Sequence, residues 1–242
     1  MTVSQDKETC LARNTLVVFA RAPQSGKVKT RLAKSVGDEA ARAIYVAMLR
    51  DVFAYAQTVV SQIADAEVVV FYTPDNAFFR GEDSLRAFWD GAHHPQSDGD
   101  LGDKIFNCFQ HLRENGAQKI VVIGTDAPDL PPHFLVDAFR ALEVHDLVFG
   151  ASVDGGFYSV GVSCDVARDV FKDVRWSSEN TLDDVLSNVG GKLIHFLPLW
   201  RDVDTIDDLR ELEKRLRNGE SHALQICRVL DVWIRNDKEP QA

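Results

Sequence analysis

The 242-residue chain predicts one α/β domain: a mixed, mostly parallel sheet with helices on both faces. Strand-like and helix-like patterns alternate along it, which is the order of a sheet wound through crossover helices. Several strand runs are continuously β-branched and apolar, as strands covered on both faces are. Hydrophobic residues make up 45% of the chain without a compositional break, enough for one complete core.

The domain is expected over residues 14–236, after a polar, flexible segment at 1–13 and before a tail at 237–242. Thr15 to Ala20 reads as the first strand. Asp38 to Val59 carries Ile44, Met48, Val52 and Tyr55 at helical spacing, and Glu67 to Tyr72 is the second strand. Leu101 to Arg113 is a helix whose apolar face holds Ile105, Phe106, Phe109 and Leu112. Ile120 to Ile123 is a strand, His133 to Leu142 a helix and Asp146 to Ala151 a strand; Phe157 to Val162 follows as the candidate antiparallel strand. Lys192 to Leu199 is a strand and Thr205 to Leu216 a helix, with Thr205 and Asp208 spaced as a capping box. The C-terminal helix around Leu224, Val229 and Leu230 either covers the sheet or forms a homodimer face.

Val121-Val122-Ile123-Gly124-Thr125-Asp126 is the most informative stretch, an apolar run that stops at a small-residue turn carrying a carboxylate. Ligands of open α/β sheets gather at the carboxyl ends of such strands. Pro128, Pro131 and Pro132 stiffen the backbone beyond, so Asp126 is either a rigid hard-cation ligand or a cap for the next helix.

The first strand runs into Arg21-Ala22-Pro23-Gln24-Ser25-Gly26-Lys27-Val28-Lys29-Thr30-Arg31, four cations in eleven residues around a glycine. In an acidic chain this is a cradle for a polyphosphate, or else a solvated basic turn. It is neither a Walker A loop nor a GxGxxG loop. Asp154-Gly155-Gly156 is an acceptor-facing acid on a flexible turn or an ordinary hairpin. Asp202-Val203-Asp204-Thr205 opens a helix, whose start explains Thr205 and Asp208 but not Asp202 or Asp204. Gln96 to Lys104 is an acidic, glycine-rich turn, either a site for ribose and phosphate or a plain N-cap. Trp176 stacks on a ligand or closes the core, and adjacent His93 and His94 point to opposite faces and make a poor metal pair.

A formal charge of −10 argues against nucleic-acid binding. No run approaches the roughly eighteen apolar residues of a membrane span. Cys10, Cys108, Cys164 and Cys227 are widely separated, as reduced thiols of a cytoplasmic protein are.

In order, Phe19 to Leu32, Gly99 to Gly102, Gly124 to Pro128, Asp154 to Tyr158 and Asp202 to Thr205 resemble the GT-A-like, radical-SAM/selenodomain-associated transferase family. That family belongs to the nucleotide-diphospho-sugar transferase superfamily, and the resemblance extends from about Leu16 to Leu212. It implies a single-domain GT-A-like fold and Mg²⁺ or Mn²⁺ held by Asp126 and Asp204. It also implies nucleotide contacts at Ala20, Arg21, Pro23, Gly26, Lys27, Lys29, Arg31, Gly102 and Thr125. Asp154, Gly155, Gly156 and Trp176 become the acceptor side, with Asp154 and Lys27 catalytic. Arg21-Ala22-Pro23 replaces the glycine-rich opening of related nucleotidyltransferases, which favours a nucleotide-sugar donor over a triphosphate. The expected activity is thus metal-dependent transfer from a nucleotide-diphospho-sugar to a small-molecule acceptor. The alternatives are nucleotidyl transfer to a phosphorylated small molecule with release of pyrophosphate, and nucleotide binding without catalysis.

Overall fold

The computed structural model describes residues 13–238, apart from 79, 80, 82, 220 and 221. The expected N-terminal segment before residue 13, Cys10 within it, and the tail beyond 238 lie outside the described residues.

In chain order the elements are β1 (Asn14–Arg21), α1 (Thr30–Val36), α2 (Asp38–Val60), β2 (Ala66–Thr73), β3 (His93–Pro95), α3 (Leu101–Glu114) and β4 (Lys119–Ile123). They continue with α4 (Pro132–Ala141), β5 (Leu147–Ser152), β6 (Phe157–Val162), α5 (Thr181–Asn188), β7 (Ile194–Trp200), α6 (Ile206–Asn218) and α7 (Leu224–Lys238). The seven strands form one sheet in the order β3-β2-β1-β4-β6-β5-β7. All neighbours are parallel except β6, which runs antiparallel to both β4 and β5. The mixed α/β class, and the one reversed strand, are as the sequence predicts.

β1 shows why the apolar runs are continuous. Leu16 and Val18 point to the layer that holds α2 and α4. Val17 points to the opposite layer with Ile105, Phe109 and Leu112 of α3 and Val185 of α5. Leu16, Val17 and Val18 are all fully buried, so both faces of the strand are covered at these positions.

α2 is long and apolar enough, by length and hydropathy alone, to cross a membrane. Here it is a core helix, with Ile44, Met48, Val52 and Tyr55 among its buried side chains. A third cluster joins α2 to α6 and α7 through Leu209, Leu212, Ile226 and Leu230. The C-terminal helix thus covers α2, not the sheet. Buried Asp51 of α2 accepts the first amides of α7, from Gln225 at 2.9 Å and Ile226 at 2.8 Å, and so caps it.

Three elements were not foreseen. α1 starts inside the basic loop, where clustered cations conceal a helix start. β3 has only three residues, and its period-2 geometry holds as expected: His93 stacks on Phe78 while His94 packs against His111. α5 is a short helix of eight residues beyond the Trp176 turn.

Candidate active site

The parallel strands β1, β2 and β4 end at one edge, and a cleft of about 660 Å³ opens there, with Ala20, Arg21, Thr73 and Gly124 to Asp126 in its wall. The start of α3 adds Gly99, Asp100 and Leu101, and the far side supplies Tyr158, Ser159, Asp202 and Asp204. This is the position at which open α/β sheets hold ligands.

The two expected metal-binding acids meet although 78 positions separate them in sequence, because the turns that carry them are joined. Val203 N donates to Asp126 O at 2.8 Å, and fully buried Val203 anchors the segment between Asp202 and Asp204. Thr205 then caps α6 in the predicted capping box with Asp208. Asp126 and Asp204 stay substantially exposed toward the cleft, at 45% and 38%.

Between them lies Lys29. Its Nζ is 2.6 Å from Asp126 Oδ1 and 3.2 Å from Asp204 Oδ1, and it also donates to Val203 O. The side chain is 3% exposed. Burial lowers its pKa, yet the charges of Asp126 and Asp204 outweigh that and leave it above its ordinary value. Lys29 also takes a left-handed backbone conformation (φ 47°) at the N-cap of α1, a geometry costing a non-glycine residue about 1 kcal/mol. Arg31 reaches Asp204 Oδ2 at 3.6 Å, while the side chains of Arg21, Lys27 and Arg31 stand exposed at the rim.

Tyr45 ties this edge together. Its hydroxyl accepts from Arg21 N at 3.1 Å and from Thr125 Oγ1 at 3.3 Å, and donates to Arg21 O at 3.1 Å. All three valences of a buried phenol are therefore used, and the basic loop is registered against the Asp126 turn.

Of the expected nucleotide contacts, Ala20, Arg21, Lys27, Lys29, Arg31 and Thr125 line the cleft, and Pro23 and Gly26 do not. Gly102 is also off the wall. A Cβ there would come within 2.6 Å of Phe171 Cβ and 2.7 Å of the Trp176 ring, so the glycine serves helix packing. Asp100 caps α3 in a capping box with Asp103, which is the plain N-cap alternative for that turn.

The expected acceptor side is set apart as well. Asp154-Gly155-Gly156 forms the β5–β6 hairpin turn, where exposed Asp154 accepts from Gly156 N at 3.0 Å. Gly155 (φ +87°) presses against the Glu179 backbone, whose O lies 2.1 Å from where a Cβ would stand. Trp176 donates to Asp100 Oδ2 at 3.1 Å and meets Phe157 edge-on, so it closes the join between α3 and the 173–180 loop. Neither Asp154 nor Trp176 lines the cleft.

Asp202, which the start of α6 leaves unexplained, does line the cleft. Ser152 Oγ donates to its Oδ2 at 3.0 Å, while its buried Oδ1 has no hydrogen-bond partner. Burial, then the charge of Asp126, pushes its pKa up to about 7, against the Ser152 bond. Its pairing with Ser152, fifty positions away, left no local signal. Because the folded value exceeds the ordinary 3.8, the contribution of Asp202 to stability is full below about 3.8 and is lost as pH rises through about 7. In chelator, Asp202→Asn should therefore gain melting temperature relative to the parent as pH rises from about 4 to about 7, the gap levelling off above that. A gap between the two that stays constant over that interval refutes the account.

The fold and cleft define a mixed α/β domain of the nucleotide-diphospho-sugar transferase kind. A protein of Desulfovibrio desulfuricans G20, provisionally described as a nucleotide-diphospho-sugar transferase, is 26% identical over 93% of this chain and 98% of its own, with a TM-score of 0.76. A cytidylyltransferase of Leptospira borgpetersenii serovar Hardjo-bovis (strain JB197) shares the fold at 14% identity and TM-score 0.54, over 96% of this chain and 99% of its own. A CMP:2-keto-3-deoxy-manno-octonic acid synthetase solved with CTP shares it at 14% and 0.52, over 85% and 99%. Over residues 56–178, half of its length, the chain belongs to the family described as "Uncharacterized protein conserved in bacteria (DUF2064)". No curated protein matches the sequence.

Proposed function

We propose that this chain is a cytoplasmic, divalent-cation-dependent transferase that takes a nucleotide-diphospho-sugar donor and passes the sugar to a small-molecule acceptor. In this reading it belongs to the radical-SAM/selenodomain-associated subset of the superfamily. The observation that carries it is the meeting of Asp126 and Asp204 with Arg21, Lys27, Lys29 and Arg31 at the carboxyl ends of β1 and β4.

Both carboxylates face one cation, the Lys29 ammonium, so the same pair fits Mg²⁺ or Mn²⁺ as oxygen ligands once that ammonium lies elsewhere. Among the described residues no group of three or more His, Cys, Asp or Glu is gathered for a metal. A pair of carboxylates completed by substrate phosphates and water suits Mg²⁺, which keeps much of its hydration. The bound cation would supply Lewis-acid stabilisation of the charge developing on the leaving diphosphate. Arg21, Lys27 and Arg31 then hold the outer phosphate oxygens as rim cations, and exposed Asp154, on the β5–β6 turn outside the cleft wall, is the acceptor-side carboxylate for an acceptor that extends beyond the cleft.

A second reading moves the attack to the α-phosphate of a nucleoside triphosphate. The fold shared with two cytidylyl-transferring enzymes favours it. Lys27 would then neutralise the transferring group.

The product separates the two. Purified protein with Mg²⁺ or Mn²⁺, incubated with a panel of nucleotide-sugars and nucleoside triphosphates, should release a nucleoside diphosphate from a nucleotide-sugar. Pyrophosphate from a triphosphate transfers the assignment to the second reading. Tight binding with neither product, over a broad acceptor panel, defeats both and leaves a nucleotide-binding protein.

A further inference from the structure

We propose that Lys29 is the resident counter-ion of the Asp126–Asp204 pair and must exchange its place with the metal, so that polyphosphate and divalent cation bind cooperatively. This rests on the metal-dependent reading above and adds to it how the site is loaded.

Lys29 Nζ stands where the two carboxylates converge, within 2.6 and 3.2 Å, with Val203 O as a third acceptor. An ammonium and a divalent cation cannot share that point: both need the same oxygens, and two like charges there repel. A cation entering the free protein therefore has to expel a buried lysine from its partners. The polyphosphate changes this balance. It offers Lys29 a new anionic partner in the same cleft, whose rim already carries Arg21, Lys27 and Arg31, and it supplies the ligands that two carboxylates lack. Each ligand thereby removes an obstacle to the other. The coupling is reciprocal, so the factor by which polyphosphate tightens metal binding equals the factor by which metal tightens polyphosphate binding.

Leaving the carboxylates costs Lys29 no capping bond. The residue is at once the end of the basic loop and the N-cap of α1, and no side-chain hydrogen bond caps that helix. Withdrawal of the ammonium therefore leaves the helix start unchanged.

Mn²⁺ alone is the first probe, read by the loss of the free-ion electron paramagnetic resonance signal. The parent protein should bind it weakly without polyphosphate, and Lys29→Met should bind it about tenfold more tightly or better, the size of an ordinary coupling factor. The gain must vanish in Lys29→Met/Asp126→Asn. Equal or weaker Mn²⁺ binding by Lys29→Met, or a gain that survives Asp126→Asn, overturns the proposal.

A second measurement needs no variant to fold. The ¹⁵N–¹H signal of the Lys29 ammonium in the parent protein should persist with Mg²⁺ alone and shift with Mg²⁺ plus inorganic pyrophosphate. A signal that moves equally with Mg²⁺ alone, or that never moves, also overturns it. Absence of Mn²⁺ binding in every variant, with and without pyrophosphate, sinks the metal-dependent reading as well. A metal-dependent parent whose Lys29→Met variant gains nothing sinks only the exchange.

Discussion

Asp126→Asn should lower turnover with the preferred nucleotide substrate by about 10²- to 10³-fold, the size of the loss when one preorganised charge is removed from an active site. The amide keeps the shape and still accepts a hydrogen bond, but it cannot bring a negative charge to a cation at the carboxyl end of β4. Asp204→Asn should cause a loss of the same order, and the double variant much less than the product of the two, because both serve one cation. Stability offers an independent check. Removing either charge leaves Lys29, 3% exposed, with one counter-charge, and stranding half of a buried ion pair destabilises a fold. Lys29→Met/Asp126→Asn should therefore recover melting temperature over Asp126→Asn without recovering activity. Full activity in Asp126→Asn, measured by release of the nucleotide product, would remove the acid from the mechanism. Joint recovery of stability and activity in the double variant would show that Asp126 acts only by neutralising Lys29.

Much of this fold is written in local pattern. β1, β2 and β4 are recognisable because a strand covered on both faces has no polar alternation, and α6 because Thr205 and Asp208 satisfy its first amides reciprocally. Asp126 is legible for the same local reason: an apolar strand can end only where the sheet ends, and there a carboxylate faces the cleft. What stays hidden is pairing across distance. Lys29 looks like any cation of a basic loop until the chain brings Val203 and Asp204 to it from 174 and 175 positions away. Tyr45 looks like core, spaced helically on α2, and only the folded chain brings its hydroxyl to Arg21 and Thr125. One expected nucleotide contact and two expected acceptor-side residues mislead in the opposite way. Gly102, Gly155 and Trp176 look functional because small and aromatic residues near turns often touch ligands. Here the glycines admit a neighbouring ring or backbone, and the tryptophan fills one of the gaps.

Arg215→Ala should have a large effect on stability, about 3 kcal/mol, and its cause lies in the loop that carries Asp126. Asp129, three residues on, has a side chain only 6% exposed. Arg215 of α6 reaches it bidentately, Nε to Oδ2 at 2.7 Å and Nη2 to Oδ1 at 3.1 Å. Trp200 Nε1 adds a bond to Oδ1 at 3.3 Å, and the guanidinium lies 5.5 Å from the centre of the Trp200 ring. Truncation removes the guanidinium and leaves a buried carboxylate with one neutral donor among the described residues, a change that costs about 3–5 kcal/mol when a buried pair is broken. Partial exposure of Arg215, at 27%, places the effect at the lower end. Asp129→Asn/Arg215→Met removes the stranded charge and keeps an apolar stem on Trp200, so denaturant titration should find it closer to the parent than Arg215→Ala is. Because this cluster braces the turn of Asp126 against the end of β7 and α6, the single variant should also weaken metal-dependent nucleotide binding at temperatures where it remains folded. Unchanged stability in Arg215→Ala would mean that water replaces the guanidinium at Asp129. The turn would then owe its rigidity to Pro128, Pro131 and Pro132 and to the bonds that tie Asp126 to Val203 and Thr125 to Tyr45.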